Sequence, residues 1–168
     1  FNTAVGFAAA EFITTGIRNT LIGGNAGNAL TDADYNVALG YEALTVDTLG
    51  SNSVAIGAFA LRDQNLTTAT NTYNVAVGYE AGGSITTGVN NTIMGGLAGD
   101  AMTTGSNNTF LGYAAGGDGV VTGEDNTVVG YSAGASLTSG TNNLLLGHDA
   151  GLGGSPGGSF GTSSNGIC

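Results

Sequence analysis

A short pattern of polar and apolar positions recurs along the chain. An asparagine, replaced once by serine, is followed by Thr, Val or Leu, by two apolar residues and by a glycine, and an alanine stands three residues after that glycine. The nine glycines lie at positions 6, 23, 40, 57, 78, 95, 112, 130 and 147, so most steps are 17 residues, with one of 21 and one of 18. A fixed short period indicates a repeat architecture in which each repeat packs on its neighbours.

One repeat contains two short extended pieces and two turns. Residues 126–130 are rich in β-branched side chains, which favour a strand, and residues 130–134 form a glycine-flanked bend. Residues 135–138 are extended again, and residues 139–142 form a Ser/Gly/Asn turn. Helical spacing of apolar residues is absent. The sequence therefore predicts an all-β fold, a parallel β-solenoid of nine ~17-residue coils over residues 1–150.

A second geometry satisfies part of the same pattern. Val129-Gly130-x-x-Ala133 matches one hexapeptide per coil of a left-handed β-helix of hexapeptide repeats. The other two walls of each coil do not match, so this geometry ranks second.

The strand of each coil is apolar on both sides. Counting from the asparagine as position one, positions three and four are apolar in every copy, and neighbouring strand residues face opposite ways. A strand that is apolar on both faces is a buried strand. We expect one set inside the coil and the other against a third wall or another chain. The set assigned to the assembly face is position three: Leu21, Ile93, Phe110, Val128 and Leu145.

Other repeat positions predict stacking and corners. Asparagines at position one are expected to form a hydrogen-bonded ladder along the axis, and glycine at position five with alanine at position eight predicts a close chain crossing. The extra residues of the fourth repeat lie within 61–73 and predict a loop on a binding face. Residues 151–168, rich in Gly and Ser, are predicted to form a terminal cap or tail.

Composition narrows the classes of partner. The chain has two basic residues, twelve acidic ones and a net charge of −10. Nucleic-acid binding needs Lys and Arg to neutralise phosphate, so it is excluded, and so is binding to anionic membranes. No apolar run approaches the ~20 residues of a membrane span. The single cysteine, Cys168, allows no intrachain disulfide.

Candidate chemistry is sparse. His148 beside Asp149 takes the position that Tyr131 has in the preceding repeat, so it is interpreted as structural. Asp118, Glu124 and Asp125 crowd one turn and are the weak candidates for a metal site, for which calcium would need six to eight oxygens. No cofactor is expected, and no catalytic constellation is predicted.

The tyrosines are the best ligand candidates. Tyr41, Tyr79, Tyr113 and Tyr131 occupy the same repeat position, where they form either a packing ladder or a platform for sugar rings.

The pattern Asn-Thr-x-Val-Gly-Tyr-x-Ala-Gly, with a Thr-Thr-Gly-x-Asn turn, resembles the repeats of YadA-type trimeric autotransporter adhesin heads. It is also similar to repeats in phage tail fibres and bacterial surface fibres. Residues 53–57, Ser-Val-Ala-Ile-Gly, match the adhesin-head motif most nearly. The resemblance covers about 150 residues. It implies a left-handed β-roll that forms a homotrimer and serves as an adhesive head or shaft.

The expected function is therefore structural and adhesive. We expect a segment or subunit of an extracellular, cell-surface or virion-attached fibre whose partners are further copies of itself, as a trimer or a head-to-tail filament, and cell-surface glycans. The axial contact of a filament would involve Phe1 and Asn2. The alternative is a glycan-binding or glycan-cleaving solenoid that uses the tyrosine column and the repeat-four insertion, with its Arg62 and Asp63.

Overall fold

A computed structural model describes residues 1–117 and 119–152. Eleven strands occur among these residues. They are β1 (Thr3–Val5), β2 (Thr20–Ile22), β3 (Val37–Leu39), β4 (Gly50–Ser51), β5 (Val54–Ile56), β6 (Thr70–Asn71), β7 (Val75–Val77), β8 (Thr92–Met94), β9 (Thr109–Leu111), β10 (Thr127–Val129) and β11 (Leu144–Leu146).

Nine of these strands form one parallel sheet, the main sheet. Its order is β1-β2-β3-β5-β7-β8-β9-β10-β11, so each repeat adds one strand beside the previous one. The register is that of the sequence repeat: Val128 pairs with Phe110 on one side and with Leu145 on the other. β4 and β6 pair in a small second sheet on the opposite wall. The predicted all-β parallel β-solenoid is confirmed, and the described residues contain no helix.

The interior is filled from four repeat positions, one of which is position nine in the third and fourth coils, where Leu44 and Leu61 are fully buried. From the second coil onward, position three is at most 1% exposed, and the alanines at position eight from Ala26 to Ala133 are fully buried. Position twelve contributes buried aliphatic residues from the opposite wall, such as Leu30 and Leu137. Since side chains alternate across a strand, position four points to solvent.

This arrangement corrects the assignment of the assembly face. Leu21, Ile93, Phe110, Val128 and Leu145 lie in the core with 0–1% exposure, so they form no outer surface of the chain. The outer apolar row is position four, which the chain itself does not bury. The assignment was wrong because both rows are apolar and strand alternation alone does not say which one faces inward.

The predicted close crossing at the corner is confirmed. A Cβ built on Gly95 would lie 2.2 Å from the carbonyl oxygen of Gly112 in the next coil, and the φ of Gly95 is +139°. Both the space and the backbone conformation therefore require glycine at position five.

The asparagine ladder is confirmed as well. Asn91 Oδ1 accepts the backbone N–H of Asn108 at 2.9 Å, and Asn91 Nδ2 donates to the carbonyl of Gly105 at 2.9 Å. The same two bonds recur from coil to coil, with interruption only at Ser53. These asparagines satisfy buried backbone groups that strand pairing does not reach.

The interruption coincides with the repeat-four insertion. Asp47 and Gln64 replace the aliphatic residue of position twelve in two successive coils and are fully buried. Asp47 accepts from Gln64 Nε2 and from the backbone N–H groups of Gly50 and Leu66, at 2.5, 3.0 and 3.2 Å. Gln64 in turn accepts from Asn74 Nδ2 at 2.8 Å. Gln64 of the insertion and Asp47 of the preceding coil therefore form a hydrogen-bonded polar section of the core.

Candidate functional site

The first candidate is the solvent side of the main sheet, here called the outer sheet face. It consists of positions two and four of every coil. Position four is a large aliphatic residue throughout and is partly or largely exposed, 44% at Leu39 and 45% at Leu111. Single exposed aliphatic residues are ordinary, but a complete row along a sheet is typical of an interaction surface.

The outer sheet face carries no charge. Position two is Thr, Val or Leu and position four is Val, Ile, Leu or Met in all nine strands, although the chain has a net charge of −10. All acidic and basic residues lie at other repeat positions. Because like charges oppose the approach of two copies, an uncharged face favours close contact between them.

The second candidate is a row of exposed rings past the glycine corner, here called the aromatic column. Its members are Phe7, Tyr41, Phe59, Tyr79, Tyr113, Tyr131 and His148. The four predicted tyrosines are 49–54% exposed and do share this column. Phe59 was not predicted to belong to it, because it stands one residue later in its repeat.

The rings pack differently in two stretches. Tyr131 stacks between Tyr113 and His148, with centroid distances of 5.4 and 5.3 Å and interplanar angles of 18° and 26°. Phe59 instead meets Tyr41 and Tyr79 nearly at right angles, at 5.5 and 5.9 Å. The column is thus both a packing ladder and an exposed surface, since both geometries are favourable ring contacts.

Carboxylates flank the column. A hydrogen bond to Glu42, followed by the charge of that residue, raises the pKa of Tyr41 above its ordinary value. The hydroxyl of Tyr79 donates to Glu80 Oε1 at 3.3 Å. The aromatic column is therefore bordered by carboxylates, which are hydrogen-bond acceptors when ionised.

Arg62 lies beside the perpendicular stretch of rings. Its guanidinium donates through Nε and Nη2 to the two oxygens of Asp63 at 2.8 and 2.9 Å and lies 5.8 Å from the centre of the Phe59 ring. The hydrogen bond to Asp63 is the main cause of the raised pKa of Arg62, and the charges of Glu80 and Glu42 contribute. The predicted pair of Arg62 and Asp63 is therefore a partly exposed salt bridge between two neighbouring residues of the chain.

A small cleft opens next to Arg62. Arg62, Glu80, Gly83, Ser84 and Asp100 line a cavity of about 130 Å³. A drug-sized ligand occupies a pocket of ~300–1,000 Å³, so this cleft holds only a fragment of a ligand. Its one hydroxyl, that of Ser84, has no histidine lining the same cleft.

The weak metal site is not assembled within the described residues. Glu124 and Asp125 are exposed, and Asp118 lies outside residues 1–117 and 119–152. Across those two ranges, no three His, Cys, Asp or Glu side chains are grouped closely enough to hold a metal ion.

His148 and the first residues are placed as follows. His148 Nδ1 lies 3.4 Å from Asp149 Oδ2, and the imidazole ends the stacked stretch of rings. Phe1 is 99% exposed, whereas Asn2 already forms the ladder bonds, donating to the Gly16 carbonyl at 2.8 Å. The predicted cap or tail from residue 153 onward, including Cys168, lies outside the described residues.

Within the described part of the chain, no helix is long and apolar enough to cross a membrane. Comparison with protein-family models, curated proteins and solved structures found no match for this chain.

Proposed function

We propose that this protein is a structural and adhesive segment or subunit of an extracellular or virion-attached fibre, and that copies of it associate laterally through the outer sheet face. The observation that supports this proposal most directly is the uncharged aliphatic row along the whole main sheet of a strongly acidic chain. The resemblance to repeats of adhesin heads and tail fibres supports the same role. A homotrimer would account for the exposed aliphatic row, because each copy would then cover the outer sheet face of another.

The bonding inside the solenoid is suited to a stiff rod. Backbone hydrogen bonds join every coil to the next, and the asparagine ladder adds buried bonds along the axis. Nine strands at ~4.8 Å spacing make a body about 38 Å long between its first and last strand. Such a stack resists bending because each coil is bonded to its neighbours over several positions.

The test is the oligomeric state of three variants. Leu39→Glu and Leu111→Glu each place a charge on the outer sheet face, in its third and seventh strands, and Thr104→Glu places the same charge at an exposed turn residue away from that face. Multi-angle light scattering should show an oligomer for the natural protein and for Thr104→Glu, and a smaller species for the two face variants. Circular dichroism checks that all of them remain folded.

Two outcomes would overturn lateral association. One is a natural protein that remains monomeric at every attainable concentration. The other is face variants that assemble as the natural protein does. The competing enzymatic role is tested separately with a panel of neutral and anionic glycans. Specific cleavage that Arg62→Ala abolishes would replace the structural function with a catalytic one.

A further inference from the structure

The stacked stretch of the aromatic column holds two phenol rings in direct contact. The ring centroids of Tyr113 and Tyr131 are 5.4 Å apart, and the planes of the two rings differ by 18°. Both residues stand at position six of successive coils, two residues after Leu111 and Val129, which pair with each other in the main sheet. The backbone N–H of Ser132 also donates to the carbonyl of Tyr113, at 2.9 Å. The backbone of the solenoid therefore fixes the two rings side by side.

This contact is specific to one pair of tyrosines. The chain has six tyrosines, and in the part of it that the structure describes only Tyr113 and Tyr131 bring two tyrosine rings together. Phe59 stands between Tyr41 and Tyr79 and contacts both of them. A whole coil, with glycine at position six, separates Tyr79 from Tyr113. A reaction that needs two adjacent phenols therefore has one site within a single chain.

The pair is also open to reagents in the solvent. Tyr113 is 49% exposed and Tyr131 is 54% exposed, so each ring is accessible at the surface of the solenoid. A radical formed on one of these rings meets the other ring without diffusion, because the fold already holds the two together. Such preorganisation favours coupling within the pair over coupling between separate molecules.

We infer that Tyr113 and Tyr131 form a site of oxidative cross-linking, at which a peroxidase with hydrogen peroxide joins the two rings as dityrosine. Each phenol gives one electron and its hydroxyl proton to the oxidant, and the unpaired electron spreads to the ring carbons next to the C–O carbon. A C–C bond then forms between a Cε atom of one ring and a Cε atom of the other. Each coupled carbon loses its hydrogen as a proton, and each oxygen regains a proton. The pair thus loses two hydrogen atoms, and one hydrogen peroxide is reduced to two waters.

The cross-link joins the seventh and eighth coils covalently. It closes the loop between residues 113 and 131, and a closed loop restricts the unfolded chain more than the folded one. The cross-linked protein should therefore resist unfolding better than the untreated protein. The site lies past the glycine corner from the outer sheet face, so it does not depend on the lateral association proposed above.

The test is peptide mapping of the natural protein after treatment with a peroxidase and hydrogen peroxide at low protein concentration. Glu124 lies between the two tyrosines in the sequence, so a protease that cuts after glutamate places them on separate peptides. We expect mass spectrometry to find these two peptides joined, with a mass lower than their sum by two hydrogen atoms. On a denaturing gel the treated chain should remain at the position of the monomer, because the link lies within one chain.

Matched variants identify the rings that react. Tyr113→Phe and Tyr131→Phe each keep a ring in the column but remove its phenol, so each should abolish the joined peptides. Tyr79→Phe removes an exposed phenol that has no tyrosine neighbour, and it should retain the yield of the natural protein. The proposal is overturned if the treated natural protein contains no joined peptides, if the link connects other residues, or if it persists in Tyr113→Phe. Circular dichroism before treatment checks that all three variants are folded.

Discussion

At the scale of single residues, two adjacent glycines at the corner, Gly95 and Gly96, have different surroundings although they look alike in the sequence. A Cβ on Gly95 would clash with the carbonyl oxygen of Gly112 at 2.2 Å, whereas a Cβ on Gly96 would meet only the ring of Tyr113, at the ordinary contact distances of 3.6 and 3.8 Å. We expect Gly95→Ala to destabilise the protein by ~3 kcal/mol or more, because backbone must move and the φ is unfavourable for alanine. Gly96→Ala should be neutral or stabilise by up to ~1 kcal/mol. Denaturant unfolding of the pair measures the difference, and equal effects would contradict the corner geometry.

The asparagine ladder gives a second prediction at this scale. Asn91→Ala removes the partners of the Gly105 carbonyl and the Asn108 N–H, both at buried residues. Leaving two buried groups unbonded should cost ~2–5 kcal/mol. Thr92→Ala, on the exposed neighbour, should change stability by less than ~0.5 kcal/mol. If thermal unfolding finds the two variants equivalent, the ladder contributes little.

The buried carboxylate of Asp47, which accepts a hydrogen bond from Gln64 of the repeat-four insertion, gives a third. Asp47→Ala removes one of the two acceptors of Gln64 Nε2 and the acceptor of two backbone N–H groups, so we expect a loss of ~3 kcal/mol or more. Asp63→Ala breaks only a partly exposed salt bridge and should cost no more than ~1 kcal/mol. Urea unfolding of the two aspartate variants compares them directly, and a mild Asp47→Ala would show that water or a rearrangement replaces the carboxylate.

At the scale of the coil, the sequence contained a signal for the inward face that strand alternation alone does not provide. In the third and fourth coils, where position three is alanine, position nine is leucine, as with Ala38 and Leu44; the first and fifth coils, with Ala10 and Gly82 at position nine, lack this large residue. Where position three is large, position nine is glycine: a Cβ on Gly27 would lie 2.7 Å from a methyl group of Leu21. Residues that exchange volume in this way share one interior. Position four shows no such exchange because it faces solvent.

The exchange predicts a coupled pair. Ala38→Leu alone overfills the space beside Leu44, and Leu44→Gly alone leaves a cavity, so each should cost ~2–4 kcal/mol. The double variant reproduces the Leu21 and Gly27 pair of the second coil and should be more stable than the sum of the single changes by at least ~2 kcal/mol. A double-mutant cycle in denaturant measures this coupling, and additive effects would show that the two positions do not share volume.

The repeat length, the strand position, the parallel stacking, the glycine corner and the asparagine ladder could all be predicted from periodicity. The insertion could be located, but the buried polar contact between it and the preceding coil could not be predicted. Asp47 and Gln64 stand at position twelve, where the other coils are aliphatic, and only the fold shows that they bond to each other and to the chain around them. Phe59 likewise joins the aromatic column from position seven, one residue later in its repeat than the tyrosines, and only the fold shows that its ring packs between Tyr41 and Tyr79.

At the scale of the whole molecule, the distribution of charge governs how copies meet. The charged residues that give the net charge of −10 lie away from the outer sheet face. Two copies that associate through this face therefore gain apolar contact, while the negative charges on their other surfaces repel one another from a distance. At ~0.01 M salt the Debye length is ~30 Å, close to the size of the molecule, whereas at ~1 M it is ~3 Å. Repulsion between the copies should therefore be strong in the first condition and negligible in the second.

Lateral association should accordingly strengthen as salt is added. Sedimentation velocity at low and high sodium chloride should show the oligomeric fraction of the natural protein rising with salt, since the contact itself contains no ion pair that salt would screen. Leu111→Glu should remain dissociated at low salt and recover only in part at high salt, because screening does not restore the lost apolar contact. Association that weakens with salt would mean that Arg18 or Arg62 pairs with acidic residues of another copy. The contact would then lie on a charged wall rather than on the outer sheet face.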